Sequence, residues 1–445
     1  MKFGVSKEII TPCVSTSLMG FASVYGVPFK DIHDDLYVRT MILEDEQDRR
    51  VVLMAMDLCF HDQSLVEYLR EYTMSKYGID HDNLIVTFTH THFAPAVKGY
   101  DFVWTNPDYE RFVHERAVCG IDRAFLNLKE GTLQYGSAEG TWNISRRMPK
   151  NGTLAFVPNL DGDRDESIYF LVARDMSGNI CGILTNYACH PSNCNGYNTV
   201  SSEYPGRLCT LIEAKYYGAT ALFFQGAGSD TKLREGAYSS AGFKGINYAA
   251  INRVALSMLD GIDNEILSGR LRNVELSLAA KMFTIPVPLN PFDKKYFKNI
   301  IQESAKSENP ERFNKDKHRL CDYPSAMMWA CAEYVLDRYD TMPDELSLHC
   351  GVIRLNADFY IATMGGEPAF DVKRVISRVF ESKTLMFFGY NDACAYVPSD
   401  KLIAEGGYES STERAVEEYR LKGGVKPGID KLYEKYFSDT LKELQ

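Results

Sequence analysis

Short apolar runs rich in Val, Ile, Phe and Tyr recur along the chain, each closed by Asp, Gly, Asn or Pro. Seven of them predict strands: Val51–Met56, Leu84–Phe88, Ile168–Ala173, Gly182–Asn186, Ala219–Phe224, Phe359–Thr363 and Leu385–Phe388. Amphipathic stretches between them predict helices, among them Gln63–Lys76, Asp108–Leu126, Gly206–Tyr217 and Ile246–Leu259. The alternation predicts a sheet-centred, layered α/β fold, read as a single domain over 1–445. One region breaks the pattern. From 291 to 345 the chain is rich in Lys, Glu and Asp, carries no strand signal and then turns helical (SAMMWACAEYVLDRY). It reads as a helical insertion or lid, or else a surface helical hairpin with no part in the site.

The strand ends are where chemistry gathers. Leu84–Phe88 runs into Thr-His90-Thr-His92, and Gly182–Asn186 into Tyr-Ala-Cys-His190-Pro. Phe359–Thr363 runs into Met-Gly-Gly-Glu367-Pro, and Leu385–Phe388 into a loop ending at Tyr396-Val-Pro. Loops at the carboxyl ends of strands converge in open α/β sheets. Two imidazoles and a carboxylate form a common catalytic zinc set, although manganese or iron accepts the same donors. Each element also has a bland reading. A strand-end histidine can be a satisfied structural group, Glu367 can cap a helix over Phe370–Phe380, and Tyr396 can be a core aromatic. The i, i+2 spacing of His90 and His92 sends both side chains to one face of an extended segment.

Charge and composition narrow the partners. The net charge of −11 comes without a basic cluster, which argues against a nucleic acid or an anionic membrane surface. The N-terminus shows no apolar signal segment, and no apolar run reaches membrane-spanning length, so the expectation is a cytoplasmic protein without a membrane anchor. The 11 cysteines are odd in number and scattered without a CxxC pair, as expected of reduced, mostly buried thiols.

Taken in order, these segments resemble the neutral/alkaline non-lysosomal ceramidase family. SKEIITP, LMGFA and IHDDLYVRTMIL (with His33) are similar to its opening segments, and THTHFAP to its Thr-His-Thr-His motif. WNISR (ending at Arg146), YACHPSN, SSEYPG (with Glu203), FFQGAGSD (ending at Asp230), the GGE at Glu367 and Tyr396 resemble the segments that follow. The resemblance implies one zinc ion held by His90, His190, Glu367 and Tyr396, with a water that attacks an amide carbonyl. His92 and Arg146 would lie beside the substrate, and His33, Asp57, Glu203 and Asp230 just behind the ligands.

Two departures shape the expectation. About fifty residues follow Tyr396, which leaves no room for the family's C-terminal β-sandwich domain. Where the family has a serine two residues after its Gly-Asp aspartate, this chain has Lys232, either a catalytic or substrate-holding cation or a residue on a displaced, solvent-facing loop. The expected function is therefore zinc-dependent amide hydrolysis of a small molecule more polar than ceramide. An ester or lactone hydrolase, a true ceramidase and a non-catalytic metal-binding protein are the alternatives.

Overall fold

In the computed structural model the described residues are all of 1–445 except 26, 61–62, 98–102, 239–241, 306–312, 315–318, 321–324 and 393–394. Two β-sheets pack face to face. The larger, nine-stranded sheet runs in the order Thr220–Gln225, Ile180–Tyr187, Ser167–Asp175, Lys129–Glu139, Lys2–Ile9, Tyr37–Glu44, Arg50–Met56 and Leu84–Phe88, with Arg272–Asn273 attached beside Lys129–Glu139. The five-stranded sheet runs Thr384–Phe388, Phe359–Met364, Glu345–Asn356, Ala279–Pro291 and Gly423–Val425.

Between the sheets lies one apolar core, with Phe3, Leu53, Ile85, Leu184 and Phe224 meeting Ile353, Ile361, Met386 and Phe388. Burying such a side chain is worth about 1.5–3 kcal/mol, and comparable apolar clusters lie beneath the helices on the outer faces. Helices close the outer faces. Gln63–Tyr77 and Pro107–Leu126 cover one end of the large sheet, and Glu203–Lys215 with Tyr248–Leu267 the other. Phe370–Val379 and Ile429–Leu444 cover the small sheet. The result is a helix–sheet–sheet–helix sandwich, the layered α/β architecture expected from the alternation.

Six of the seven expected strands form parallel pairs: Arg50–Met56 with Leu84–Phe88, Ile180–Tyr187 with Thr220–Gln225, and Phe359–Met364 with Thr384–Phe388. Strands covered on both faces read as unbroken apolar runs, which is why they stood out. The long antiparallel strands Lys2–Ile9, Lys129–Glu139, Ala279–Pro291 and Glu345–Asn356 did not, because charged, glycine or proline residues interrupt their apolar positions.

The carboxyl ends of the parallel pairs are sewn together across the sheets. The Phe88 N–H donates to the Tyr390 carbonyl at 3.0 Å, and the Gly389 N–H to the Gln225 carbonyl at 2.8 Å. The Asn186 amide donates to the carbonyls of both Phe224 and Phe387 at 2.9 Å, one in each sheet. Asn186 thus fixes how the two sheets meet at the edge where the loops converge.

Region 291–345 departs from the expectation in one respect. Besides the helices Lys294–Ala305 and Ser325–Arg338 it holds a two-residue antiparallel pair, Phe313–Asn314 with Arg319–Leu320. Two residues per strand leave no period-2 pattern to detect. The helices pack through Phe297, Ala332 and Val335, while Cys331 joins a cluster with Met19, Tyr25 and Cys59. Among the described residues no helix is long and apolar enough to cross a membrane.

Candidate functional site

His90 lies two residues beyond Leu84–Phe88 with a left-handed backbone (φ 63°), a conformation that costs a non-glycine residue about 1–3 kcal/mol. Its surroundings hold it there. The His90 N–H donates to the Leu58 carbonyl at 2.9 Å, and ring Nδ1 lies 2.8 Å from the Cys59 carbonyl. A carbonyl only accepts, so Nδ1 carries a proton and Nε2 is the nitrogen that faces Glu367. His190 is fixed by its N–H to the Thr231 carbonyl at 3.3 Å, while its own carbonyl accepts from the Ser192 N–H and the Asn193 amide.

Glu367 reaches the same point from the small sheet. Its N–H donates to the Ala395 carbonyl at 2.8 Å, and it stands opposite Tyr396 in a short parallel ladder. Gly366 (φ 67°) supplies the turn before it, and the Gly366 N–H donates to Asp392. Glu367 Oε2 lies 3.3 Å from His90 Nε2 and 3.8 Å from His190 Nδ1. Oε1 accepts from the Tyr419 hydroxyl.

These atoms pass a test for a cation. His90, His190 and Glu367 are 1%, 1% and 4% exposed, and their donor atoms cluster as metal ligands do. Glu367 Oε2 and His190 Nδ1 are buried without a hydrogen-bond partner. A buried orphan oxygen and an orphan nitrogen facing each other are costly unless something binds both. A second cluster, Cys59, His90 and His92, also exists. It is the poorer donor set, because His90 Nδ1 is committed to the Cys59 carbonyl and burial raises the Cys59 thiol pKa.

His92 packs over Gly20, where a Cβ would come within 2.6 Å of it. Its Nε2 lies 3.2 Å from His90 Nε2 and 2.8 Å from His190 Nε2. Burial and neighbouring cations, Lys232 and Arg146 among them, hold the pKa values of His92 and His190 well below the ordinary value, so both rings are neutral. At His90 burial opposes charge, yet the Cys59 and Glu367 groups raise its pKa well above that value.

These residues line a cavity of about 360 Å³ together with Arg146, Lys232 and Tyr396. Arg146 Nε donates to Glu409 at 2.7 Å, and Glu409 also accepts from Arg147. Arg146 Nη2 is buried and unpartnered. Lys232 faces the cavity rather than solvent, its Nζ 2.9 Å from the Ser192 carbonyl. Burial, then Arg146, lowers its pKa to about 8.

The remaining expected residues stand outside the cavity lining. Glu203, also left-handed (φ 56°), accepts the Asn193 and Tyr204 N–H groups and so braces the loop after His190. Burial raises its pKa to about 7. Asp230 accepts the Phe370 N–H at 3.1 Å, capping the helix Phe370–Val379 in the role that Glu367 was offered as an alternative. Asp57 is buried, accepts the Tyr37 N–H and has its pKa raised by burial to about 6. His33 is exposed and stacks on Tyr248 at 3.3 Å, apart from the cavity. The sequence reading missed Tyr419, Tyr408, Glu409 and Glu418. They come from the segment after Tyr396, whose sequence holds no strand-end signal.

Residues 1–229 match the sequence model of neutral/alkaline non-lysosomal ceramidase, N-terminal. The chain is 26% identical over 232 residues to neutral ceramidase of Drosophila melanogaster, covering 48% of this chain and 32% of the fly protein. It is 27% identical over 234 residues to neutral ceramidase 1 of Arabidopsis thaliana, covering 48% and 29%. The match thus spans about a third of these relatives' length. The fold superposes on the crystal structure of neutral ceramidase from Pseudomonas aeruginosa with a TM-score of 0.71 at 16% identity, over 100% of this chain and 74% of that one. A ceramidase complexed with C2 gives 0.69 at 17% identity, over 100% and 75%. With a match over more than half of its sequence, this chain belongs to the neutral/alkaline non-lysosomal ceramidase family.

Proposed function

We propose that this chain is a metal-dependent hydrolase that cleaves a carbon–nitrogen bond in an amide. The observation that carries the reading is the buried, unpartnered pair Glu367 Oε2 and His190 Nδ1 facing His90 Nε2. His90, His190 and Glu367 would hold the ion, with Tyr396 delivered beside Glu367 by the ladder they share. A divalent ion there, zinc by the family resemblance, lowers the pKa of a coordinated water from about 15.7 toward 7 and polarises a carbonyl.

The other residues have distinct tasks. Neutral His92 accepts or returns a proton at Nε2, the task of a general acid–base group, next to the ligand imidazoles. Arg146 lines the cavity with its Nη2 buried and unpartnered, a donor for a substrate oxygen that carries negative charge. Tyr419 holds Glu367 Oε1, so that Oε2 is the oxygen left for the ion. Phe21, Phe60 and Phe156 wall the cavity and limit water around the reacting groups.

The relatives are named for ceramide, an N-acyl lipid; the bond class carries over better than the lipid. A cavity of about 360 Å³ lies near the small end of ligand pockets, which run roughly 300–1,000 Å³, and suits a compact amide rather than a two-chain lipid. The test is purification with metal analysis, then hydrolysis of N-acyl amides before and after chelation. One ion per chain, activity lost on chelation and restored by zinc is the expected result. A protein without metal, or one equally active after chelation, would end the reading.

A further inference from the structure

The charges around this cavity do not balance. Glu418 faces it but is paired with Arg414 at 2.7 Å. Arg146 and Arg147 both pair with Glu409, and Arg147 also with Glu405 at 3.3 Å, so these two guanidinium groups have two carboxylates. Among the described residues Lys232 makes no ion pair, its polar contact being the Ser192 carbonyl. The nearest acidic influence on it, Glu203, has its oxygens committed to the backbone N–H groups of Asn193 and Tyr204. Among the described lining residues Glu367 is the remaining carboxylate, and its Oε2 faces the histidines.

The two cations also share one surface. In the ladder between Asn143–Lys150 and Thr231–Leu233, Lys232 stands opposite Ile144, so Arg146 two residues on lies on the same face. That face is part of the cavity wall, and both side chains keep donors without an anionic partner: the remaining N–H bonds of the Lys232 ammonium and, buried within the wall, Arg146 Nη2. A metal ion nearby would add positive charge. Buried cations persist where an anion completes them.

We propose that the substrate is an amide bearing a carboxylate, an N-acyl amino acid in its simplest form, with the carboxylate held by Lys232 Nζ and Arg146 Nη2. The inference rests on the amide-hydrolase reading above and names its substrate class. Lys232 is the specificity-determining residue: it stands where the family has a neutral hydroxyl, and it exchanges tolerance of an alcohol for recognition of an acid.

The experiment uses matched pairs. N-hexanoylglycine and N-hexanoylethanolamine differ by a carboxylate on the amine side; N-butyl succinamate and N-butyl pentanamide differ on the acyl side. Hydrolysis by the metal-loaded protein is compared among the wild type, Lys232→Met and Lys232→Arg. The thermal midpoint of the metal-free protein is measured with each compound, a readout independent of turnover. In the wild type one carboxylate compound should be preferred, and the side that is preferred locates the subsite. Lys232→Met should raise KM for that compound about 10- to 150-fold, the span of a hydrogen bond to a charged group, with a several-fold smaller effect on its neutral partner. Lys232→Arg should keep most of the preference, and the carboxylate-dependent thermal shift should vanish in Lys232→Met alone.

The outcomes separate the two readings. Amide hydrolysis without a carboxylate preference, or an equal loss on both members of a pair, overturns the inference and leaves the hydrolase reading standing. A carboxylate-dependent shift abolished by Lys232→Met, without hydrolysis of any compound, overturns the hydrolase reading and keeps the subsite. Neither hydrolysis nor a shift overturns both.

Discussion

The two halves of the site are built in different ways. The histidine half is held by backbone: the His90 ring donates to the Cys59 carbonyl, its N–H to the Leu58 carbonyl, and the His190 N–H to the Thr231 carbonyl. The carboxylate half adds to its short backbone ladder with Tyr396 side chains from far along the sequence: the Tyr419 hydroxyl on Glu367, Asp392 on the Gly366 N–H, and Asp230 at the start of the helix that follows. The family match behaves accordingly. It covers residues 1–229, which contain both histidines proposed as ligands, while the fold of the whole chain matches the solved neutral ceramidase. Ligands fixed by main-chain geometry need a particular local sequence to reach strained conformations such as φ 63° at His90. A carboxylate can be supported by whichever tyrosine or aspartate arrives from elsewhere.

Removing one ligand from each half tests whether both serve one ion. Glu367→Ala and His190→Ala should each bring metal content from one per chain to near zero and abolish hydrolysis, read by elemental analysis of the purified variants. Full metal occupancy in either would place the ion elsewhere.

His92→Ala should retain the ion while losing roughly two to four decades of rate, the range of a general acid–base group. Because His92 Nε2 touches both ligand imidazoles, metal loss on this substitution would make it a ligand and put three histidines in the backbone-held half.

Tyr419→Phe probes the side-chain-held half. Loss of the hydroxyl on Glu367 Oε1 should weaken metal affinity about 10–100-fold, as for other residues that orient a ligand. Titration of the metal-free protein with a competing chelator measures this, and an unchanged affinity would show that the ladder with Tyr396 alone orients Glu367. In the histidine half the nearest equivalent is Asn193, whose amide donates to the His190 carbonyl at 2.8 Å.

The smallest effect concerns the cap. Burial, with Glu409 next, raises the Asp230 pKa from 3.8 to about 7. A carboxyl whose folded pKa is raised contributes stability that is full below its unfolded value and is lost as pH rises through the folded value. Asp230→Asn keeps an acceptor for the Phe370 N–H but cannot ionise. Its thermal midpoint should therefore gain on the wild type as pH goes from about 4 to 8, by on the order of 1–3 °C. A constant offset across that range would mean that Asp230 ionises freely where it lies.

Much of the site was legible because strand ends announce it. Leu84–Phe88 has the same bounds in sequence and structure, and the loops after it, after Ile180–Tyr187 and after Phe359–Met364 carry the three residues that meet. Lys232 was legible as a departure, although only the ladder with Asn143–Lys150 turns it toward the cavity. His33 stacks on Tyr248 outside the cavity lining, a position that its motif does not specify. Tyr419 and Glu409 carried no local signal, since a tyrosine or glutamate in a helical segment looks the same whether or not it reaches a distant ligand.

By itself the sequence determined the apolar parallel strands, the helices between them and the identities of the donor residues. Those follow from burial on both faces and from side-chain chemistry, which are local properties. Tertiary structure decided which donors meet. Asn186 bonds carbonyls in both sheets, and that junction brings the end of Leu84–Phe88 to Tyr390 and Glu367 to the histidines. Contacts between residues hundreds of positions apart depend on how the sheets stack, and no window of sequence contains that geometry.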